Sequence, residues 1–579
     1  MQPTMQRAMN FHPQRLLLAT AFLAVAASAH GAQPSVLWGE RGEKYDPAGL
    51  LPDFSFAGYE RGEKAIPERA AEISIKTFGA VGDGRTDDTA AFQRALREAA
   101  GKVIGVPEGR YVLADVLEIS AAGTVLKGAG SEKTVLIFIK GLQTLRPTTA
   151  ETGESKATTA WSWSGGLVWF KGASASGDEL TAIAAPGAKR GETRVPVADA
   201  ARLAVGQEVA IEVKDDSAGS FVRYIFRDSP EDAEKLVGKQ GYQYVGRIRE
   251  IAGTSVVLDR PLRFDLRPEW SAKLRSFAPT LHHAGIEDLA FEFPRTPYRG
   301  HWEEDGFNAI QFENCAHCWA RRLVIRNGDS GIYARGHFCT VTDVLFTANR
   351  KPEPKGHTGH HGLDAGGADN LFTRFHFKTR FFHELTVSRS IGNVFSEGDG
   401  EILRLDHHKA GPYENLFTNL DTGDGGPEIW GSGGPPGAGR HSAAGATFWN
   451  IRGKKEPGLP PEGWGPPGLV FVGLKGIVPT AQRRAGWHYE AVSAASIAPP
   501  NLHLAQLQRR LAATPGADPG QPATQRWTTT SGQVFAAKFG GLSGANAIFI
   551  LPDGRRVPYP IASLSVESRA LAAKLAAPR

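Results

Sequence analysis

The strongest constraint on this chain is a repeat. Asn370-Leu371-Phe372-Thr373 recurs as Asn393-Val394-Phe395-Ser396 and again as Asn415-Leu416-Phe417-Thr418, at offsets of 23 and 22 residues. Asp343-Val344-Leu345-Phe346-Thr347 is a looser copy upstream, and Thr447-Phe448-Trp449-Asn450-Ile451 reads as a further turn downstream. A unit this short cannot bury its own apolar face, whereas stacked copies can. A period near 22 suits one coil of a parallel β-helix, with coils separated by the strand-pairing distance of about 4.8 Å. The pattern predicts Phe372, Phe395 and Phe417 stacked inside the solenoid. It predicts Asn370, Asn393 and Asn415 as a structural ladder at a turn, amide bonded to amide and backbone.

The totals agree. There are 68 Gly and 37 Pro in 579 residues, which suits a turn-dense β protein better than a helical one. Charged residues are 22%, too few for wholesale disorder, and a net charge of +5 without a concentrated basic tract argues against nucleic acid. Arg7 and Arg15, the apolar run Leu16 to Val25 and Ala27-Ser28-Ala29 have the order of a secretory signal, spanning 1–29. No later segment reaches the ~20 apolar residues of a transmembrane helix. The expected location is secreted or periplasmic. Three cysteines (Cys315, Cys318, Cys339) exclude a disulfide framework. Cys315-Ala-His-Cys318 lacks a second such pair, so a structural role is expected, with a local disulfide open.

A lead segment covers 30–69. Ile73-Ser74-Ile75 then runs into Gly82-Asp83-Gly84, and Asp87 or Asp88 caps a helix from Thr89 to Ala100. Strands resume at 103–107, 111–113 and 125–128. The string Phe78-Gly79-Ala80-Val81-Gly82-Asp83-Gly84, with Asp87-Asp88-Thr89, Phe92 and the run Gly105 to Tyr111, resembles the start of the pectate-lyase superfamily, the rhamnogalacturonase/epimerase-like group. The resemblance implies an all-β fold: a right-handed, single-stranded parallel β-helix over 70–490. It is specific for the fold and not for the reaction. Residues 178–265 carry their own strand signals and are expected to form a small β insertion. Residues 491–525 read as a linker. From 526 to 575, alternation around Asp553-Gly554 and a closing short helix resemble an SLA-type homology module, a small SH3-like barrel. That implies a protein- or surface-docking appendage.

The repeat also serves as a ruler. His361, His383 and Asp406-His407 lie eight to ten residues before the Asn anchors, and His376, Asp399 and Asp421 lie six after them. Equivalent side chains in stacked coils project together, so these columns predict a polar furrow. For β-elimination from a uronate, a base takes the proton beside the carboxylate while a cation neutralises it. The candidate bases are His361, His383, His407 and Lys378, with Arg380 and Arg404 for neutralisation. Asp364, Asp399 and Asp421 are candidate Ca²⁺ ligands through hard oxygens, the one cofactor the pattern offers. For hydrolysis, Asp364, Asp399, Glu401 and Asp406 are the candidate carboxylates. Trp302, Trp430 and Trp449 are candidate sugar platforms, and His408 and Lys409 complete the expected binding set. The polygalacturonase signatures of this superfold ("NTD", "DD", "GHG", "RIK") are missing as an ordered set, and Gly359-His360-His361-Gly362 is only a distant echo. The expected partner is an acidic polysaccharide, cut by a lyase or a hydrolase, or gripped without cutting. Replacing His361 or His407 by alanine is expected to abolish activity and spare the fold.

Overall fold

The computed structural model describes residues 32–579 except 230–232, 240, 440–442, 477–482, 514–523, 531–532, 544–545, 552–555, 566–567, 570–571 and 573–579. The secretory signal and the Asp553-Gly554 turn fall outside the described residues.

The core of the chain is a right-handed parallel β-helix. One long sheet stacks parallel strands coil upon coil, among them Gly285–Glu292, Trp319–Arg326, Thr340–Thr347, Leu371–Lys378, Val394–Ser396, Leu416–Asp421, Thr447–Arg452 and Val470–Leu474. The register follows the repeat: Phe372 pairs with Phe395, Phe395 with Phe417, Phe417 with Phe448 and Phe448 with Phe471. Their rings stack at centroid distances of 4.6, 5.0, 5.3 and 5.1 Å, with planes within 13° of parallel. All five are fully buried. At roughly 2–3 kcal/mol per buried aromatic side chain, this column is a main source of cohesion between coils.

The Asn ladder forms as well. Asn393 Oδ1 accepts from Asn370 N (3.0 Å) and Asn370 Nδ2 (2.9 Å). Asn415 Oδ1 accepts from Asn393 N and Nδ2, both at 3.0 Å. Asn370 Nδ2 and Asn393 Nδ2 also donate to Gly336 O and Gly367 O, each at 3.0 Å.

A second parallel sheet forms another wall. Its later strands are β1 (Gly359–Ala365), β2 (Phe381–Val387) and β3 (Leu405–His407). It carries the candidate site.

The first coil is covered by the helix Thr89–Glu98, which buries Ala91, Phe92, Ala95 and Leu96. Asp88 occupies its N-cap position, yet its carboxylate turns back to Val81 N (2.6 Å) and Gly82 N (3.0 Å). Asp87 instead accepts from Thr89 N at 3.0 Å.

The insertion is a six-stranded antiparallel sheet between Ser176 and Phe277, somewhat longer than its sequence signals. Arg260 clamps it to the solenoid through two bonds to Asp369, at 2.8 and 3.0 Å. Part of the segment read as linker is ordered. The helix Leu502–Ala513 docks on the lead segment, where Gln506 accepts from Phe54 N and donates to Pro52 O, both at 2.8 Å. Strands Thr524–Thr528, Val534–Ser543, Asn546–Ile550 and Arg556–Pro560 form a separate antiparallel sheet around Trp527, Phe539 and Phe549. The three cysteines are buried free thiols, with Cys315 Sγ 3.9 Å from Cys339 Sγ, so the local disulfide is not formed.

Candidate functional site

Two-residue alternation should send Leu363 and Leu385 inward and their i−2 neighbours His361 and His383 inward too. The wall breaks that rule with a corner. A Cβ on Gly362 would stand 2.5 Å from the Phe377 ring, so this position faces the core. Gly331, one coil earlier, faces the Phe346 ring in the same way. With position 362 turned in, His361 swings to the outer side, where its Nδ1 lies 3.2 Å from Thr386 Oγ1. His383 pairs with His361 in register and stacks on it at 5.0 Å.

Asp406 joins them from β3. The register runs Thr386 to Asp406 and Val387 to His407, so Asp406 is three places beyond the His361–His383 column. Its carboxylate nevertheless reaches back. His408 Nδ1 donates to Asp406 Oδ2 at 2.7 Å, Gly433 N donates to Oδ1 at 2.9 Å, and His383 Nδ1 faces Oδ2 at 3.0 Å. Burial pushes Asp406 up, but the His383 and His408 imidazoles outweigh it and hold the carboxyl well below its usual range. Burial pulls His408 down, and Asp406 more than offsets this, so His408 is more basic than usual.

Two loops complete the pocket. The connection between Gly285–Glu292 and Asn308–Ala316 delivers His301, Trp302 and Glu304. His301 stacks on Trp302 at 3.8 Å and on Phe382 at 4.8 Å. Trp302 is held in the left-handed backbone region at φ 77°, with its N–H donating to Glu304 Oε1 at 3.2 Å. Glu304 also accepts from Tyr298 (2.8 Å) and Ser162 (2.7 Å), and burial raises its pKa. The Gly-rich segment 431–437 closes the other side. A Cβ on Gly433 would lie 2.5 Å from the His408 ring and 3.1 Å from His383, so only glycine lets this strap come so near. His301, Trp302, His408 and Lys409 are the half-buried rim; His360, His361, His383 and Asp406 are the buried floor.

The floor leaves an unusual set of polar atoms unmatched. His301 Nε2, both nitrogens of His360 and His361 Nε2 are buried without a hydrogen-bond partner. Each such atom costs about 1–3 kcal/mol. Burial pulls His301 down to about 4 and holds His360 and His361 well below the usual imidazole range, so all three are neutral. Burial also pushes Asp364 up to about 6 and Glu384 up to about 7. Among the described residues two groups of three bring donor atoms within 4.8 Å of one another: His301, His360 and His383, and His383, Asp406 and His408.

Of the sequence candidates, the structure brings His361, His383, Asp364, Asp406, His408, Lys409 and Trp302 to one wall and its rim. Arg404 lies at its edge, donating to Phe382 O at 2.8 Å and to His357 Nε2 at 3.3 Å, and Arg380 donates to Lys355 O at 3.3 Å. Other candidates are elsewhere. Lys378, Asp399 and Asp421 belong to the long sheet, where His376, Asp399 and Asp421 pair in register, with His376 and Asp399 exposed. Asp364 is on the other sheet, so the three proposed Ca²⁺ ligands do not converge. Glu401 is exposed outside both three-donor groups. His407 alternates with Asp406 and points inward, packed against Trp464 (4.6 Å), Phe417 (5.3 Å) and Phe448 (5.6 Å). Its replacement would open a core cavity, not remove a base. Trp430 and Trp449 are core residues whose indoles donate to Pro457 O (2.9 Å) and Pro499 O (2.7 Å). Sequence reasoning missed His301 and Glu304, which lie outside the repeating stretch. Their one signal was the neighbouring Trp302.

Residues 72–165 match the family described as rhamnogalacturonase A/epimerase, pectate lyase-like. The match ends well before His301. The pre-neck appendage protein of Bacillus phage B103 is 40% identical over 67 residues, 12% of this chain and 7% of that protein. Alginate lyase 7 of Azotobacter vinelandii is 37% identical over 79 residues, 12% of this chain and 9% of that protein. The chain thus spans less than a tenth of the length of these relatives. Among solved structures, the tailspike gp49 of Pseudomonas phage LKA1 covers 70% of this chain and 64% of its own at 12% identity, with a TM-score of 0.43.

Proposed function

We propose that this chain is an exported enzyme that cleaves a uronate-containing polysaccharide by β-elimination, with His408 as the base. One observation carries the reading. A fully buried carboxylate, Asp406, fixes the imidazole of His408 through Nδ1 at 2.7 Å, while the His408 side chain keeps 16% of its surface open at the rim. An orienting carboxylate behind a partly open imidazole is the arrangement that positions a general base and stabilises the imidazolium it becomes. Lys409 follows directly and packs under the same strap, 3.1 Å from the Cβ position of Gly434. It supplies the cation that a uronate carboxylate needs before its neighbouring C–H becomes acidic. Trp302, half-buried and edge-on to Trp163 at 5.8 Å, offers a face for a sugar ring. The local match to an alginate lyase supports a uronate as substrate class.

The test uses the full chain on pectate, alginate and other uronate polymers, following the absorbance of the unsaturated product alongside new reducing ends. We expect both signals to rise together, and His408→Ala and Asp406→Asn each to lose about 10²–10⁴-fold of the rate. Reducing ends without unsaturated product would replace elimination by hydrolysis. Binding without either product would make this a glycan-binding protein. Undiminished turnover in His408→Ala would show that His408 is not the base.

A further inference from the structure

The paired carboxylate explains His408, but not the other half of the pocket. His301, His360 and His383 bring donor nitrogens within 4.8 Å of one another. The ring of His360 is fully buried and neither of its nitrogens has a hydrogen-bond partner. His301 Nε2 is orphaned in the same place. With Glu304 Oε1 3.3 Å from His360 Nδ1, His360 Nε2 and His301 Nε2 remain, and a folded chain rarely leaves imidazole nitrogens buried together and unbonded unless something satisfies them.

From this geometry we infer a site for a divalent transition metal of the Zn²⁺ class, held by His301, His360 and His383. Three imidazoles are the donor set that borderline metals prefer, whereas Ca²⁺ and Mg²⁺ take oxygen ligands. The outer contacts fit the same assignment. His360 Nδ1 lies 3.3 Å from Glu304 Oε1, and His383 Nδ1 lies 3.0 Å from Asp406 Oδ2. A carboxylate behind a ligating imidazole fixes its ring and raises its basicity as a ligand. That leaves Nε2 of both rings for the metal, beside the orphaned Nε2 of His301. The third ligand is also held in place: His301 is sandwiched between Trp302 and Phe382, at 3.8 and 4.8 Å. Trp302 in turn sits in the left-handed backbone region, its carbonyl accepting from Thr158 Oγ1 at 2.8 Å. The overlapping group of His383, Asp406 and His408 is the weaker choice, because Asp406 already accepts from His408 and from Gly433 N. Three protein ligands leave room for a further oxygen donor such as water or a sugar carboxylate.

The test measures the metal and not turnover, so it stands or falls separately from the lyase reading. The full chain is stripped with a chelator, then titrated with Zn²⁺, Co²⁺ and Ca²⁺ by calorimetry, and the Co²⁺ form is examined for ligand-field absorption. We expect about one tight Zn²⁺ or Co²⁺ per chain, a low-symmetry Co²⁺ spectrum of nitrogen donors, and no saturable Ca²⁺ binding at this site. His360→Ala and His301→Ala should abolish tight binding. Glu304→Gln, which leaves all three ligands, should weaken it by about 10–100-fold. His301→Ala changes a half-buried loop residue, so it keeps the test usable if the floor variant fails to fold. Stripped wild-type protein that binds none of these metals, or variants that bind as tightly as wild type, would overturn the site. Metal bound normally by a protein without lyase activity would leave the site standing and sink only the proposed reaction.

Discussion

The Asn ladder and the histidine floor are both columns of buried polar side chains running across successive coils. They differ in one respect. Every ladder amide is bonded to a neighbouring coil: Asn393 Oδ1 accepts from Asn370 Nδ2, and Asn393 Nδ2 donates to Asn415 Oδ1 and Gly367 O. The floor leaves His301 Nε2, His361 Nε2 and both nitrogens of His360 unbonded. A buried polar group that is fully satisfied adds cohesion and uniqueness, whereas one left open costs stability at its own position. Burial and periodicity are common to both columns, so it is hydrogen-bond satisfaction that sets this floor apart from this ladder.

The largest test of that contrast is Asn393→Ala. It removes the acceptor of Asn370 N and takes one bond each from Asn370 Nδ2, Gly367 O and Asn415 Oδ1. We expect a loss of about 3–5 kcal/mol in urea unfolding, at the top of the range for single substitutions. A loss under about 1 kcal/mol would mean the ladder is decoration, and the contrast with the floor would collapse.

Much of the ladder was legible in the sequence because a 22-residue spacing and a Phe two places after each Asn define both its register and its inner face. The floor was legible only in part. His361 and His383 fall on the ruler, but β3 starts two residues early relative to it: Leu385 pairs with Leu405, an offset of 20. That slip moves Asp406 to a different column and turns His407 into the core, which a fixed period cannot anticipate. His376, Asp399 and Asp421 share the ruler's spacing but lie, with Lys378, on the other sheet, and the ruler carries no information about which wall a column belongs to. His301 and Glu304 come from a connection outside the repeat, so no periodic argument reaches them. The C-terminal module shows the opposite case: its four strands follow local alternation alone and required no long-range register.

A second test sharpens the contrast from the floor's side. Asp364 is fully buried and burial lifts its carboxyl from the ordinary 3.8 to about 6. The folded state therefore holds this proton more tightly than the unfolded chain. Stability from this residue is intact below about pH 4, declines as pH climbs toward 6, and levels off above it. The shift corresponds to about 3 kcal/mol at neutral pH. Asp364→Asn should remove that decline, so the difference between the wild-type and variant unfolding free energies should slope across pH 4–6 and be flat on either side. Parallel curves would mean the carboxylate is satisfied, and Asp364 would belong with the ladder.

The smallest expected effect comes from a third column, His376–Asp399–Asp421, which shares the periodicity of the other two and neither their burial nor their stakes. His376 Nδ1 donates to Asp399 Oδ2 at 2.7 Å, with the side chains 48% and 54% exposed. The bond to Asp399 raises the imidazole pKa above its ordinary value, and partial burial opposes it. The pair therefore contributes while His376 is charged, below the ordinary imidazole value of about 6.5, and its contribution fades as pH rises past the raised value in the folded state. Water screens a pair this open, so the contribution is at most about 0.5 kcal/mol. His376→Ala should cost that much or less at pH 5, nothing measurable at pH 8.5, and should change neither metal binding nor turnover. A cost of several kcal/mol, or a loss of activity, would show that spacing alone carries function in this solenoid and that burial with unmet hydrogen bonds is not what marks the site.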